Sequence, residues 1–401
     1  MLVPIIFWLS VLFVIYTLFL YPGIITILAW YKKRHPIHQV PNDQLPSLSI
    51  IIAAYNEEDV IVQKLENTLD LNYPFQKLQV IVAADGSDDN SVFLIQSYAD
   101  RQVELSFQPQ RFGKLDAVTR AIRLYAHGDI LVFSDANNLF DKDALLELVK
   151  YFQYPEVGVI SGAKHIYTES LLSYSEGIYW KYESFIKEME SIFNSCTGLV
   201  GEIMAVRKEL YTPPPNWIIN DDFFIAMLIA SKGYKISYAP HAHSFEFTPD
   251  DPDSEISRRS RIVAGRFQAM IHAGKYLRLQ NPILIWQVVS HKFSRALLPL
   301  ALIIILSANL LLLIFPHHST SSNDLLSVQY PWNWIFLLIQ MIFYSTALCI
   351  DKLKYLGLAG KILYLPAFFI NSNFAGLLGL LTFLNNKHSV LWAKASRNHT
   401  K

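Results

Sequence analysis

The stretch ILVFSDAN, residues 130–137, decides the fold of this chain. Its first four residues, Ile130–Phe133, are apolar and largely β-branched or aromatic, which is typical of a strand buried on both faces. The run stops at Ser134 and Asp135, so a carboxylate stands where a buried strand ends. Asn137 follows two residues later, at the position where a second carboxylate would complete a pair of metal ligands. The stretch therefore predicts a core strand that ends at a polar, ligand-binding edge.

Other short apolar runs precede and follow this strand, and helix-like segments separate them. One of these segments, Lys114–Tyr125, carries apolar residues at helical spacing. Alternating strands and helices predict an α/β fold with a mainly parallel sheet, on which ligands bind at the carboxyl ends of the strands. The other predicted strands are Leu48–Ala53, Leu78–Ala83, Val103–Phe107 and Val157–Ile160.

Polar residues follow three of the predicted strands. The first strand leads into Tyr55-Asn56-Glu57-Glu58, the second into Asp85-Gly86-Ser87-Asp88, and the fourth into Ser134-Asp135-Ala136-Asn137. Each tetrapeptide alone is equally typical of a turn or a helix cap. Three of them on one edge of a parallel sheet favour a binding site.

The composition points to a membrane protein. Of 401 residues, 52% are hydrophobic and 17% are charged, while the formal net charge of zero gives no reason to expect a nucleic-acid partner. Residues 2–31 contain no charged side chain and precede Lys32-Lys33-Arg34, which predicts a retained anchor with the next domain in the cytoplasm. Two distant cysteines do not form a disulfide framework. We expect a multi-pass protein of the plasma (inner) membrane.

The hydropathy pattern divides the chain into five regions. Further spans are predicted at about 297–315, 333–350 and 362–384, and the topology of the last run stays open. A segment of mixed charged and aromatic residues precedes them; there we expect Trp286 at headgroup depth, with Lys292 and Arg295 extended towards the headgroups. The predicted regions are an anchor at 1–31, the α/β domain at 45–272, an interfacial amphipathic segment at 273–296, transmembrane helices at 297–384 and a tail at 385–401.

Six motifs, in their order and spacing, resemble the family 2 glycosyltransferases with a GT-A fold, and the flanking apolar segments resemble the hyaluronan, cellulose and poly-N-acetylglucosamine synthase branch. The resemblance implies a hexosyltransferase that moves a sugar from a UDP-sugar to a growing polysaccharide at the membrane, with inversion at the anomeric carbon. The motifs are IIAAYNEE (51–58), VAADGSDD (82–89), RFGKLDAV (111–118), FSDAN (133–137), INDDFFIAMLIASKGYKISYAP (219–240) and RRSRIVAGRFQ (258–268).

The resemblance also assigns the donor site. Lys114 would lie near the phosphates, and Asp135 would bind the ribose or the metal-bound diphosphate. Arg261 matches the arginine of a Gln-x-x-Arg-Trp motif that clamps the diphosphate, with Arg258 in the glutamine position. The residues expected around the uracil and ribose are Ala54, Tyr55, Glu57 and Asp85.

A divalent cation, Mg²⁺ or Mn²⁺, is the expected cofactor, with Asp135 and Asn137 as its candidate ligands. An amide oxygen can bind such a hard cation but lacks the negative charge that these ions prefer, so Asn137 is the weaker ligand. His241 and His243 could also reach a metal, although a histidine pair of this kind is more often structural.

The catalytic residues are expected in NDDFF, residues 220–224. An acceptor hydroxyl needs a carboxylate to take its proton during attack, and the resemblance assigns this role to Asp222. Asp221 beside it would hold the site together or raise the proton affinity of Asp222 by like charge. Two acids at a helix start are also typical of simple helix stabilisation. Gly201 and Glu202, in TGLVGEIMAVRKEL (197–210), and Ile262 are the candidate acceptor contacts.

Two other functions remain open at this point. Ile262 replaces the motif's tryptophan, which in the family lies under the acceptor sugar, so transfer of a single sugar to a lipid carrier or glycolipid is an alternative. A non-catalytic membrane subunit that binds a nucleotide sugar is the second. The expected partners are a UDP-sugar, a glycan or glycolipid acceptor, and the lipid bilayer.

Overall fold

The computed structural model describes residues 2–32, 36–167, 171–247, 252–276, 281–316, 325–348 and 357–385. Its centre is an eight-stranded sheet of order β3-β2-β1-β4-β7-β6-β8-β5. The strands are β1 (Leu48–Ala54), β2 (Leu78–Asp85), β3 (Val103–Gln108), β4 (Ile130–Asp135), β5 (Asn138–Phe140), β6 (Val157–Tyr167), β7 (Met204–Arg207) and β8 (Lys235–Phe247).

The sheet is mostly parallel, as the alternating pattern predicts. Strands β3, β2, β1 and β4 pair in parallel, and β6 pairs in parallel with β8; β7 and β5 run antiparallel to their neighbours. All five predicted strands are present. The expected run Val157–Ile160 is only the start of β6, which continues to Tyr167. Its continuation through Lys164 and His165 carries charge and lacks the apolar pattern that marks the other strands.

Alternate residues of the central strands are buried in two different apolar clusters, one on each face of the sheet. Ile50 and Val80 belong to one apolar cluster, while Ile51 and Ile81 belong to the other. This two-sided burial explains why the strands are continuous apolar runs. Helices α2 (Ile61–Leu69), α3 (Ser91–Gln96) and α5 (Ala144–Val149) pack on the first face, and α4 (Lys114–Leu124) and α7 (Asp221–Ser231) on the second.

Among the described residues, three helices are long and apolar enough to cross a membrane. They are α1 (Leu2–Tyr31), α9 (Pro282–Ile314) and the part of α11 (Gly357–Leu384) from Leu363 to Leu384. A fourth apolar helix, α10 (Trp332–Leu348), is shorter. All four coincide with predicted spans, although residues 349–350 of the third prediction lie outside the described residues, as do Lys352 and Lys354.

Two more helices join these apolar helices to the sheet domain. They are α6 (Leu171–Phe193) and α8 (Pro252–Tyr276). Helix α8 crosses α11 at very short range at Gly379. A Cβ atom added there would lie 2.5 Å from the backbone of Ser260 in α8, so only a glycine fits. The arginine motif on α8 is therefore held between the sheet domain and an apolar helix.

The segment predicted as a separate interfacial helix is continuous with the second apolar helix. A π-helical turn at Val288–Phe293 joins Pro282–Gln287 to Ser294–Ile314 without a break. Trp286 packs edge-on against Tyr21 of α1, with ring centroids 5.2 Å apart. Its indole N–H donates to the hydroxyl of Tyr16 at 3.1 Å. Trp286 is thus part of a helix–helix contact, which differs from the headgroup position predicted for it.

Lys292 and Arg295 also differ from their predicted positions. Both side chains are largely buried and form ion pairs with Glu183 of α6, so neither extends to a headgroup. The reason is a carboxylate more than one hundred residues away in sequence, which the local pattern of α9 cannot reveal.

Candidate active site

The edge predicted to bind the donor forms where β1, β2 and β4 end together. The register pairs Ala53 with Asp135 and Ala54 with Ala84, so the polar residues that follow these strands lie side by side. Tyr55 and Glu57 follow buried Ala54 and are both partly exposed. The three tetrapeptides predicted at one edge do meet there.

Asp85 organises this edge through the backbone. Its two carboxylate oxygens accept hydrogen bonds from the N–H groups of Phe112, at 2.9 Å, and Gly113, at 2.6 Å. Gly113 has a φ of 104°, a left-handed conformation that favours glycine, and it immediately precedes α4. Asp85 is 97% buried, so its carboxylate serves first to fix the start of α4 and with it Lys114.

Arg111 belongs to the same edge and was not among the predicted residues. Its guanidinium lies 3.7 Å from the ring centroid of Tyr55, a cation–π contact at the position expected to cover the nucleotide base. The signal was present in the RFGK motif, but the sequence does not show which face of the loop carries the arginine.

Lys114 and Asp135 form an ion pair at the centre of the edge. Burial disfavours the lysine charge, yet Asp135 and then Asp221 outweigh it, so the pKa of Lys114 lies above its ordinary value. Lys114 is therefore a permanent cation beside the predicted diphosphate position.

Asn137 and Glu202 are held together by a buried charge cluster. The Asn137 amide donates to Glu246 at 2.9 Å, and Lys164 bridges Glu246 and Glu202. Glu202 also accepts from the Ser244 hydroxyl at 3.0 Å and is 92% buried. Its carboxylate is thus engaged in fixing β6 and β8, and the acceptor contact expected of Glu202 stays a prediction.

The residues present can hold a divalent cation only with help from the substrate. No group of three or more acidic, histidine or cysteine side chains clusters in a way suited to a metal within the described ranges. Mg²⁺ commonly takes one or two protein ligands and completes its shell with phosphate oxygens and water. The Asp135 carboxylate and the Asn137 carbonyl oxygen fit that pattern. The ring Nε2 of His243 instead lies 3.0 Å from the Pro240 carbonyl, a structural contact.

Asp222 stands at the start of α7 and faces a cavity. Its Oδ1 accepts from the N–H of Phe223 at 2.7 Å, and Asn220 occupies the N-cap position. A Cβ atom at Gly201 would lie 3.2 Å from Cβ of Asp222, so the predicted acceptor glycine borders the predicted base. Burial, and next the charge of Asp221, raise the pKa of Asp222. A raised pKa suits a carboxylate that must take up a proton.

Arg261 completes the set of charges. Burial lowers the pKa of Arg261 from its ordinary value, and Asp221 and Asp135 oppose that effect, so the guanidinium remains charged. Its helix, α8, is docked on α7 where Asn220 donates to the Ile262 carbonyl at 3.0 Å. Asp135 and the adjacent pair Asp221 and Asp222, which is distant from it in sequence, thus lie near the same two cations, Lys114 and Arg261.

A cavity of about 430 Å³ extends from Asp222 towards the apolar helices. One part of its wall carries charged residues, among them Asp222, Arg258 and Arg295. Another part consists of apolar residues of the helices, including Leu298 and Phe368. Ile262 also lines it, in the position where the related motif has a tryptophan. Sequence reasoning missed the deep residues of this wall, which come from α6 and α9: Trp180, Glu183, Lys187 and Lys292.

The known proteins to which this chain is similar are glycosyltransferases. Residues 49–212 match the model of glycosyl transferase family 2. The chain is 25% identical over 249 residues to poly-beta-1,6-N-acetyl-D-glucosamine synthase of Staphylococcus aureus (strain MSSA476), which covers 59% of this chain and 60% of the relative. The synthase of the same name from Staphylococcus epidermidis is 22% identical over 261 residues, covering 61% and 62%. The chain spans about 60% of the length of these curated relatives.

A solved structure shares the fold over nearly the whole chain. It is the mannosyltransferase PcManGT from Pyrobaculum calidifontis, in complex with GDP-Man and Mn²⁺. The TM-score is 0.67 at 23% sequence identity, and the alignment covers 95% of this chain and 99% of the other. This likeness shows the GT-A fold.

Proposed function

Because this chain carries a family 2 glycosyltransferase domain at residues 49–212, we propose that it transfers a sugar from a UDP-sugar to a growing polysaccharide at the membrane, with inversion at the anomeric carbon. One observation carries the proposal. Asp135, Asp221 and Asp222 approach Lys114 and Arg261 at the carboxyl edge of the sheet. This arrangement supports the proposal, because glycosyl transfer requires a base and cationic groups close to each other.

The cations meet the charge of the leaving group. As the bond between the anomeric carbon and the phosphate oxygen breaks, negative charge builds up on the nucleoside diphosphate. Lys114 and Arg261 are positioned to stabilise it, and the planar guanidinium of Arg261 suits paired phosphate oxygens. Arg111 and Tyr55 form a stacked pair that suits the nucleotide base.

Asp222 acts on the acceptor side. Its carboxylate takes the proton of the acceptor hydroxyl as that oxygen attacks the anomeric carbon opposite the leaving group. The new carbon–oxygen bond forms on the opposite face of the sugar from the one that breaks, which inverts the configuration. Asp221 keeps the proton affinity of Asp222 high by like charge.

A divalent cation, Mg²⁺ or Mn²⁺, is proposed as cofactor, held by Asp135 and Asn137 together with the diphosphate. When bound, it supplies further positive charge to the leaving group. The amide of Asn137 is already oriented by its bond to Glu246, which leaves its carbonyl oxygen for a ligand. Transfer activity lost with EDTA and restored by Mn²⁺ is the expected result; activity untouched by chelation excludes the cation.

A second candidate is transfer of one sugar to a lipid carrier or glycolipid. The cavity favours it, because its wall passes from Asp222 to the apolar residues of α9 and α11. Ile262 supports it as well, since an aliphatic side chain gives a sugar ring no aromatic platform. The relatives that synthesise poly-N-acetylglucosamine support the polymer.

The proposed setting is the plasma membrane, with the sheet domain on the cytoplasmic side. Three long apolar helices support a multi-pass protein. The basic cluster after α1 supports the cytoplasmic side for the domain, since cytoplasmic loops carry an excess of lysine and arginine.

The test is transfer from radiolabelled UDP-sugars by the full-length protein in membrane vesicles. Asp222→Asn should lower transfer by about 10²–10⁴-fold, the usual contribution of a general base, while UDP binding stays unchanged. Asp100→Asn is the matched control. Asp100 is exposed and lies just before β3, at the end of the sheet opposite to the carboxyl ends of the strands. Full turnover in Asp222→Asn would refute the assignment of the base.

Product length in the same vesicles separates the acceptors. A ladder of growing chains supports the polysaccharide, and a single glycosylated lipid supports the second candidate. A membrane protein that binds UDP and transfers no sugar from any donor would be the non-catalytic subunit instead.

A further inference from the structure

Asn137 leaves the proposed cation site with one carboxylate fewer than a pair of aspartates would give it. Divalent cations such as Mg²⁺ and Mn²⁺ prefer anionic oxygens, so an amide in this position weakens the site unless a nearby group supplies negative charge. The Asn137 amide contacts such a group, the carboxylate of Glu246 in β8. The two residues are 109 positions apart, so the local sequence pattern does not reveal the contact.

The contact fixes the direction in which the amide points. Nδ2 of Asn137 donates to Oε1 of Glu246 at 2.9 Å, and a carboxylate can only accept, so the amide nitrogen must face Glu246. The strands hold this arrangement, because β5 and β8 pair with Asn138 directly opposite Glu246. The carbonyl oxygen of Asn137, the one atom of the amide that can bind a cation, is therefore turned away from Glu246.

Glu246 belongs to a largely buried group of charges. Its second oxygen pairs with Lys164, and Lys164 also donates to Glu202 at 2.7 Å. One ammonium group thus faces two carboxylates, and the group retains negative charge next to the Asn137 amide. Lys64 lies near Glu202 as well, but burial lowers its pKa to about 7, so at neutral pH it offsets this charge only in part.

The turn that carries the two proposed ligands is attached to the strand that carries Glu246. Oδ1 of buried Asn138 accepts from the N–H of Asp135 at 3.1 Å, and its Nδ2 donates to the hydroxyl of Ser244 in β8 at 2.7 Å. Asp135, Asn137 and Glu246 are therefore held in one frame. Groups that hydrogen-bond to a metal ligand from behind commonly fix its orientation and strengthen it as a ligand.

We propose that Glu246 is a positioning residue of the cation site, which orients the Asn137 amide and supplies the negative charge that an aspartate in place of Asn137 would carry. The amide that binds the cation and the carboxylate behind it then act together as one anionic ligand. The inference rests on the proposed function in one respect, because it takes Asp135 and Asn137 as ligands of a divalent cation that binds together with the diphosphate.

The test measures binding of Mn²⁺ to the full-length protein in detergent micelles at saturating UDP, with the EPR signal of unbound Mn²⁺ as the readout. Glu246→Gln keeps the size of the side chain and removes its charge, and should weaken Mn²⁺ binding by roughly 10–100-fold, as changes behind a metal ligand usually do. Glu156→Gln is the matched control. Glu156 also pairs with a lysine, Lys235 at the start of β8, but at an exposed site, so this change should leave Mn²⁺ binding unaltered.

A second substitution separates this role from a purely structural one. Asn137→Asp in the Glu246→Gln background returns one charge to the pair and lets the new glutamine amide donate to the new carboxylate, so Mn²⁺ binding should recover to within about threefold of the wild type. Asn137→Ala leaves the buried ion pair intact and should weaken Mn²⁺ binding at least as much as Glu246→Gln. UDP binding in EDTA should be equal in all variants and shows that they are folded. Unweakened Mn²⁺ binding in Glu246→Gln or in Asn137→Ala, or no recovery in the double variant, would overturn the proposal.

The failure of this inference can be told apart from that of the proposed function. Mn²⁺ binding that depends on Glu246, in a protein that transfers no sugar, would leave the site and refute the enzyme. Sugar transfer that requires Mn²⁺ but is equally sensitive to Mn²⁺ concentration in the wild type and in Glu246→Gln would leave the enzyme and refute the role of Glu246. Sugar transfer by a wild type that binds no Mn²⁺ would refute both the cation and the role of Glu246.

Discussion

Asp222 shows how two neighbouring residues set one proton affinity. It lies at the cavity and beside Asp221, and both burial and the like charge favour its protonated form. Lys114 and Lys292 act in the opposite direction by favouring the carboxylate. The balance leaves the pKa of Asp222 raised above the ordinary aspartate value of 3.8.

A pH profile tests this balance. Because the proposed base works only when deprotonated, kcat/KM should fall as the pH drops through the raised pKa of Asp222, at a pH above 3.8. Asp221→Asn removes the like charge, so the acid limb of its residual activity should move to lower pH. An acid limb that stays in place, or moves upward, in Asp221→Asn would show that Asp221 does not tune Asp222.

At the scale of elements, the contact between α7 and α8 joins the proposed base, Asp222, to the arginine motif. A Cβ atom at Gly265 would lie 2.5 Å from the side-chain amide of Asn220, so this glycine is what allows the two helices to approach. The same amide donates to the Ile262 carbonyl. The short distance therefore sets the position of Arg261 relative to Asp221 and Asp222.

Substitution of Gly265 by alanine should separate these elements. The added methyl group must displace Asn220, which we expect to cost about 1–3 kcal/mol of stability, as overpacking does. A shift of about 1 Å at the site should lower sugar transfer on the order of 100-fold. Gly274→Ala, on the same helix with no atom within 4 Å of the added Cβ, is the control and should stay fully active. Equal transfer rates of the two variants would contradict the prediction.

At the scale of the whole molecule, buried charges connect the sheet domain to the apolar helices. Glu183 of α6 pairs with His291, Lys292 and Arg295 of α9, and Glu190 of α6 accepts hydrogen bonds from Tyr21 of α1 at 2.5 Å. The first turns of α9 also join an apolar cluster of the sheet domain through Leu284 and Val288. The domain and the apolar helices are thus one packed unit.

Removal of the Glu183 charge tests this connection. Glu183→Gln leaves Lys292 and Arg295 buried without a counter-charge, and breaking such a pair typically costs about 3–5 kcal/mol. The melting temperature of the full-length protein in detergent should therefore fall clearly, whereas Glu188→Gln, partly exposed on the same helix, should change it little. Equal melting temperatures would mean that the cluster contributes no net stability.

The sequence by itself determined the architecture of this protein. Alternating apolar runs predict the strands and helices of the mostly parallel sheet, and the four apolar helices follow from hydropathy. The order of the motifs predicts the family, and residues 49–212 match the model of that family. These features depend on the spacing of side chains along the chain, so they can be read locally.

Only the tertiary structure decided which charges meet. Lys292 and Arg295 were predicted to reach the headgroups and instead pair with Glu183. Glu202 pairs with Lys164, an ion pair that the sequence does not reveal. Arg111 lies on Tyr55, a contact that no spacing rule contains. The physical reason is that a charged side chain takes the nearest counter-charge in space, and the distance between elements exists only once they are packed.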